Sequence, residues 1–254
     1  MSDVAAGLIR NHQGKKMKYL TQAYKAWDYI LAFFSYKQRL SRILNVDICQ
    51  INKFYEEIKR SGFIEHLAEK SRVYRWPVDL SPLAFFRGPM LYVLCRLIRP
   101  ETVVETGVGR GFSAAFILYA LKKNDKGRLY SIDLPNQPGQ ELEAGEDTGW
   151  LVPEELRGRW NLIIGPSQDK LPQLLTELKK IDVFFHDSAH SYENMMFEFQ
   201  LARQRLKDNL FLVTDDITEN QAFDEFCRQH KYDSITLFKT GIAKKYNRCR
   251  EKDR

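Results

Sequence analysis

The residues able to do chemistry fall in five short stretches of the 254-residue chain, each placed just after an apolar run. The first holds Glu105, Gly107, Gly109, Gly111 and Ser113, and the second Asp133. Then come Gly165, Ser167 and Gln168, next Asp187 and His190, and last the pair Asp215 and Asp216. Glycines spaced G-x-G-x-G permit a tight turn whose backbone N–H groups can face an anionic ligand, although any turn that needs positive φ uses glycine too. Asp133 lies 22 residues past Gly111, where a carboxylate can accept both hydroxyls of a ribose. A lone Asp can equally cap a following turn. Together the two signals point to a nucleoside-containing cofactor.

Such residues need a scaffold that gathers them. Apolar segments read as a strand at Thr102 to Glu105, a helix at Phe112 to Lys122 and a strand at Arg128 to Ile132. A short helix near Pro153 to Leu156 precedes a third strand at Trp160 to Ile164, a helix at Leu171 to Lys179 and a fourth strand at Ile181 to Phe185. Next come a helix at Tyr192 to Leu206, a fifth strand at Asn209 to Thr214 and a helix at Phe223 to His230. Ser234 to Lys239 and Ile242 to Tyr246 read as a closing antiparallel hairpin around Gly241. This alternation is that of an α/β domain, a seven-stranded, mostly parallel sheet with helices on both faces. Ligands of such sheets bind beyond the carboxyl ends of the strands, where all five stretches lie.

Upstream, Leu20, Tyr24, Trp27, Leu31 and Phe34 recur at steps of three and four, as on one face of a helix over residues 17–40. A second helical pattern runs from Ile51 to Leu67, with Ser61-Gly62 as a potential break. Trp76-Pro77 to Ser81-Pro82 reads as a connector, and Pro89 suits the start of a helix over Met90 to Ile98. The organisation expected is a helical cap at 1–80, the α/β domain at 81–246 and a basic tail at 247–254, a solvated, frayed end. Trp150, Tyr74 and Trp76 are candidates for a pocket roof and equally for core.

Hydrophobic residues at 44% and aromatics at 13% describe a globular chain. The net charge of +6 is uneven: residues 1–100 hold 17 basic and 8 acidic side chains, residues 101–254 hold 22 and 25. The basicity therefore belongs to the helical front end. Cys49, Cys95, Cys227 and Cys249 form no C-x-x-C pair, which suits free thiols in a reducing compartment. The N-terminus lacks an apolar signal core, and the longest apolar run, Tyr29 to Phe34, is too short to span a bilayer. A cytoplasmic location without a membrane partner is expected.

Glu105 to Ser113, read as E-T-G-V-G-R-G-F-S, resembles the first motif of class I S-adenosylmethionine-dependent methyltransferases. The register is that of catechol O-methyltransferase and of macrocin-type and cephalosporin-hydroxylase-like small-molecule methyltransferases. Gly165 to Pro172 is similar to that family's G-x-S-Q loop, Phe185 to Glu193 to its D-x-x-H-x-Y-E segment, and Val213 to Asp216 to its fifth-strand acidic pair. The likeness runs in order over about residues 85–246. It implies a Rossmann-like methyltransferase sheet of strand order 3-2-1-4-5-7-6 with an N-terminal helical extension. It also implies that Glu105, Gly107, Gly109, Gly111 and Ser113 seat the methionine end of the cofactor, that Asp133 binds its ribose, and that Ser167 and Gln168 meet its adenine. Asp187 would face the cofactor, and His190 would be the base that serves the acceptor. The Asp215-Asp216 pair departs from the Asp-Asn of the catechol enzymes, which favours the sugar- or macrolide-modifying relatives.

Asp187, Asp215 and Asp216 are expected to converge at adjacent strand ends, and three ionised carboxylates repel unless protonated or bridged by a cation. A divalent ion, most simply Mg²⁺, would resolve this and leave positions for substrate oxygens; the other reading is a helix cap and a plain hydrogen bond, with no metal. The expected activity is divalent-metal-assisted O-methylation of a hydroxylated small molecule, by a chain whose oligomeric state is unreadable and could include a homo-oligomer. The basic front end raises an RNA methyltransferase or a non-catalytic basic binding module as alternatives. Asp187-Ser188-Ala189-His190 lacks the Asn/Asp-Pro-Pro-aromatic loop usual for base-amine methylation, which disfavours nucleic acid as partner.

Overall fold

The computed structural model of the chain describes residues 35–73, 82–136, 142 and 146–245. The helix expected over 17–40 lies partly outside them; its described part, α1, is helical over residues 35–44. Tyr74, Trp76 and the basic tail also lie outside. Among the described residues no helix is long and apolar enough to cross a membrane.

The second helical pattern divides where the sequence suggested, into α2 (Ile48–Arg60) and α3 (Phe63–Val73), with Gly62 at φ 71° between them. Asp47 caps α2 by accepting a hydrogen bond from the Cys49 amide at 2.7 Å. The next helix, α4, runs Pro82–Ile98, longer at its front than the sequence reading allowed. Pro82 rather than Pro89 takes the first helical position, where a missing N–H costs nothing, and Pro89 is accommodated inside the helix. Gly88 lets α4 close on the next helix, since a Cβ there would stand 2.4 Å from the Phe116 ring. The consequence is that Arg87 sits within the helix and not ahead of it.

The α/β part follows in the expected order. It comprises β1 (Thr102–Thr106), α5 (Phe112–Asn124), β2 (Arg128–Asp133), a 3-10 turn at Glu154–Arg159 and β3 (Trp160–Ile164). Then come α6 (Ser167–Leu178), β4 (Ile181–His186), α7 (Tyr192–Arg205), β5 (Leu206–Thr214), α8 (Ala222–His230), β6 (Asp233–Leu237) and β7 (Thr240–Lys244). The seven strands form one sheet of order β3-β2-β1-β4-β5-β7-β6. The first five are parallel and β7 is antiparallel to both β5 and β6. The hairpin bends at Phe238 (φ 54°) rather than around Gly241, which lies in β7 opposite Thr214.

Central strand β4 is buried along its whole length, as befits a parallel strand covered on both faces. One apolar core joins α1 to α5 to one side of the sheet, with Phe63 stacked on Tyr119 at 4.1 Å; a second joins α6, α7 and α8 to the other. Phe116, Phe184 and Phe199 are among the largest fully buried side chains, each worth about 1.5–3 kcal/mol of transfer free energy. With both faces sealed, the strand ends are left open to a ligand.

Candidate active site

Beyond the carboxyl ends of β1 to β5 lies a cavity of about 630 Å³. Of the expected site residues, Gly107, Gly109, Ser113, Asp133, Ser167, Gln168, Asp187, His190, Asp215 and Asp216 line it. Because β2 and β3 flank β1 on one side and β4 and β5 on the other, Asp133, Ser167 and Gln168 stand on one side of the glycine turn. Asp187, His190 and the Asp215-Asp216 pair stand on the other.

The turn at 107–111 is held from three directions. Gly107 adopts φ 81°, and a Cβ there would lie 2.0 Å from the Asp187 carbonyl oxygen, so no side chain fits against the end of β4. Asp133 accepts from the amides of Val108 (3.2 Å) and Gly109 (2.8 Å), and its other oxygen accepts from Leu134 N at 2.8 Å. Those two turn amides thus face Asp133, which caps the turn while lining the cavity. Gly149 and Leu151 donate their amides to Gly109 O and Arg110 O at 2.8 and 2.9 Å. Gly111 caps α5 and packs against Gly149; it is absent from the cavity wall.

Glu105 also lies behind the wall. It is fully buried, its two oxygens accepting from Ser113 Oγ and Ser131 Oγ at 2.6 Å each. Trp160 Nε1 donates to the same Ser131 hydroxyl at 2.9 Å. Burial pushes the Glu105 carboxyl up to about 7, against the downward pull of the two serines. Its action on a ligand is therefore indirect, through Ser113.

Ser167 and Gln168 occupy the first turn of α6 rather than a loop, and Gln168 Nε2 donates to Asn194 Oδ1 at 2.7 Å. Asn194 opens a buried polar network on α7 that the sequence reading missed. Its amide donates to Ser188 Oγ, Ala189 O and Glu198 Oε1 at 3.0 to 3.2 Å. Glu198, fully buried, also accepts from Thr106 Oγ1 at 2.5 Å and Ser188 Oγ at 2.9 Å, and bonds His186 Nδ1 at 2.7 Å. Burial raises the Glu198 carboxyl, but His186, Ser167 and Thr106 outweigh it and hold it below its ordinary value. His186, given no role from sequence, is thus a structural partner beneath the site. Its ring stands 5.4 Å from that of His190, edge to face.

His190 Nε2 is buried, has no hydrogen-bond partner among the described residues and lies 3.9 Å from Asp187 Oδ1. Burial lowers the His190 pKa, only partly opposed by Asp187, and burial likewise raises that of Asp187. The ring is therefore neutral near pH 7 and able to accept a proton.

The carboxylates expected to hold Mg²⁺ are arranged differently. Arg87 Nη1 bonds Asp215 Oδ2 and lies 3.4 Å from Asp187 Oδ2, while Thr240 Oγ1 donates to the other Asp215 oxygen at 2.9 Å. Asp216, in the left-handed region at φ 47°, pairs with Lys239 at 2.9 Å. Among the described residues no group of three His, Cys, Asp or Glu could hold a metal ion. The repulsion that called for a divalent ion is relieved by a guanidinium, and the donors as placed do not fit one.

No curated protein matches the chain in sequence. Among solved structures it resembles a Podospora anserina methyltransferase bound to S-adenosylhomocysteine at 15% identity and TM-score 0.53, covering 74% of this chain and 88% of that one. A Bacillus cereus O-methyltransferase in complex with S-adenosylhomocysteine aligns at 15% and 0.51, over 73% and 92% of the two chains. The O-methyltransferase of tomaymycin synthesis from Streptomyces achromogenes, in complex with S-adenosylmethionine, aligns at 17% and 0.52, over 74% and 91%. At such identities these likenesses speak for the fold. The family model described as a methyltransferase domain matches residues 104–217, the span from β1 to just past β5. That stretch, the part of the chain similar to a methyltransferase domain, holds β1 to β5 and the strand-end residues that line the cavity.

Proposed function

We propose that this domain methylates a hydroxyl oxygen of a small molecule. The observation that carries the reading is a single cavity with the glycine turn at its centre, Asp133 and Gln168 on one side and His190 with Asp187 on the other. The cavity suits the cofactor: Asp133 offers a carboxylate to ribose hydroxyls, exposed Leu134 offers an apolar face to the adenine, and the start of α5 faces the methionine carboxylate. When bound, S-adenosylmethionine would supply an electrophilic methyl carbon, whose S–C bond breaks as the acceptor's O–C bond forms, with S-adenosylhomocysteine as the leaving group. His190 takes the acceptor's hydroxyl proton at Nε2 as the new O–C bond forms, and Asp187 stabilises the imidazolium that results. Alignment and exclusion of water supply the rest of the catalysis, because the transfer is a displacement. No step passes through a metal ion.

Isothermal titration with S-adenosylhomocysteine tests the cofactor half. Binding in the micromolar range, weakened about tenfold or more by Asp133→Ala, is expected, a loss of about 1.4 kcal/mol or more. Absence of binding at sub-millimolar concentration would overturn it. Transfer of labelled methyl to a panel of phenols and sugars, lost in His190→Ala while cofactor binding persists, tests the acceptor half.

A further inference from the structure

We infer that Arg87 is the built-in counter-cation of the acceptor side of the cavity, seated where a divalent ion would have to bind between Asp187 and Asp215. As a role in acceptor binding this rests on the function proposed above; as an account of the carboxylate pair it does not.

Arg87 enters from α4, a helix whose run Pro82–Ile98 is otherwise apolar apart from Arg96. A guanidinium on such a helix is costly unless it is paired, and here it meets two carboxylates from two different strand ends. Its side chain is 25% exposed, against 19% for Asp187 and 11% for Asp215, so the three charges meet in a partly dry setting. Two further carboxylate oxygens are engaged as well: Thr240 Oγ1 donates to the second Asp215 oxygen and Lys239 to Asp216 Oδ1. A dication on the same oxygens would sit against the guanidinium and be repelled. Arg87 Nε is buried without a partner among the described residues. Arg87 acts as a positioning residue that bridges Asp187 and Asp215 at the acceptor side of the cavity and holds the two carboxylates in register.

The probe is Mn²⁺ alone, followed by electron paramagnetic resonance on the full chain saturated with S-adenosylhomocysteine. The wild type should show no site at sub-millimolar Mn²⁺. Arg87→Ala and the milder Arg87→Gln should each gain one, removed again by a second change, Asp215→Asn, whereas Arg87→Lys should stay free of Mn²⁺. Retained S-adenosylhomocysteine binding reports that each variant is folded. A wild-type Mn²⁺ site abolished by Asp215→Asn would overturn the inference, as would Arg87→Ala and Arg87→Gln variants that bind S-adenosylhomocysteine but gain no Mn²⁺. Failure of the wild type to bind S-adenosylhomocysteine would instead overturn the cofactor reading and leave the Mn²⁺ comparison to be read on the free chain.

Discussion

Glu105 and Glu198 are both wholly buried, one on β1 behind the glycine turn and one on α7 beneath the Asp187 loop, yet their carboxyl groups shift in opposite directions. Glu105 has two serine hydroxyls for company and is pushed up to about 7. Glu198 has His186, two hydroxyl donors and the Asn194 amide within hydrogen-bond reach and is held below its ordinary value. Burial alone does not decide whether a carboxylate stays charged in a dry interior; the number and charge of its donors do. The glycine-turn side rests on a carboxyl near its titration point, and the Asp187 side on one whose donors favour the charged form.

The comparison can be broken most forcefully at Glu198. Glu198→Leu strands His186, Thr106, Ser188 and Asn194, and should lower the unfolding free energy by about 3–5 kcal/mol in a denaturant titration. The pH profiles should also differ in sign. Glu105 binds its proton more tightly folded than unfolded, so its contribution is complete below about 4.5 and is lost as pH rises toward about 7. Glu198, lowered on folding, contributes above its unfolded value and loses that contribution as pH falls through its folded one. Glu105→Gln should therefore flatten the decline between pH 5 and 8, by roughly 3 kcal/mol at most; thermal melts across that range check it. The smallest effect is expected from Trp160→Phe, which removes one donor from Ser131 and should cost about 1 kcal/mol at pH 7.

The glycine turn and the strand-end residues were legible because they are local: each follows an apolar strand, and the strand order places them together. Arg87 and Glu198 were not, because they arrive on helices and find partners far away in sequence, Glu198 meeting Thr106 across 92 residues; Asn194 was not, because its role follows from Glu198 beside it. A signal did exist. Met195, Glu198, Phe199 and Ala202 share one helical stripe, and all four are buried; a carboxylate on such a stripe must be paired. Arg87 is likewise a rare charge in an apolar helix, hidden by starting that helix at Met90 instead of Pro82. The expectation of a metal counted carboxylates correctly but looked for the positive charge only among the strand ends. Glu105 and Gly111 belong to the glycine motif, yet strand alternation and helix capping turn them away from the cavity.

The abutment of the glycine turn on the end of β4 ties the two sides of the cavity to one another. Gly107 and the Asp187 carbonyl meet with no clearance for even a methyl group, so the glycine turn and the end of β4 abut as a single seam. A backbone shift in either half must be met by the other. Thermodynamic reciprocity then requires that any change one ligand makes in the other's affinity be returned by the same factor.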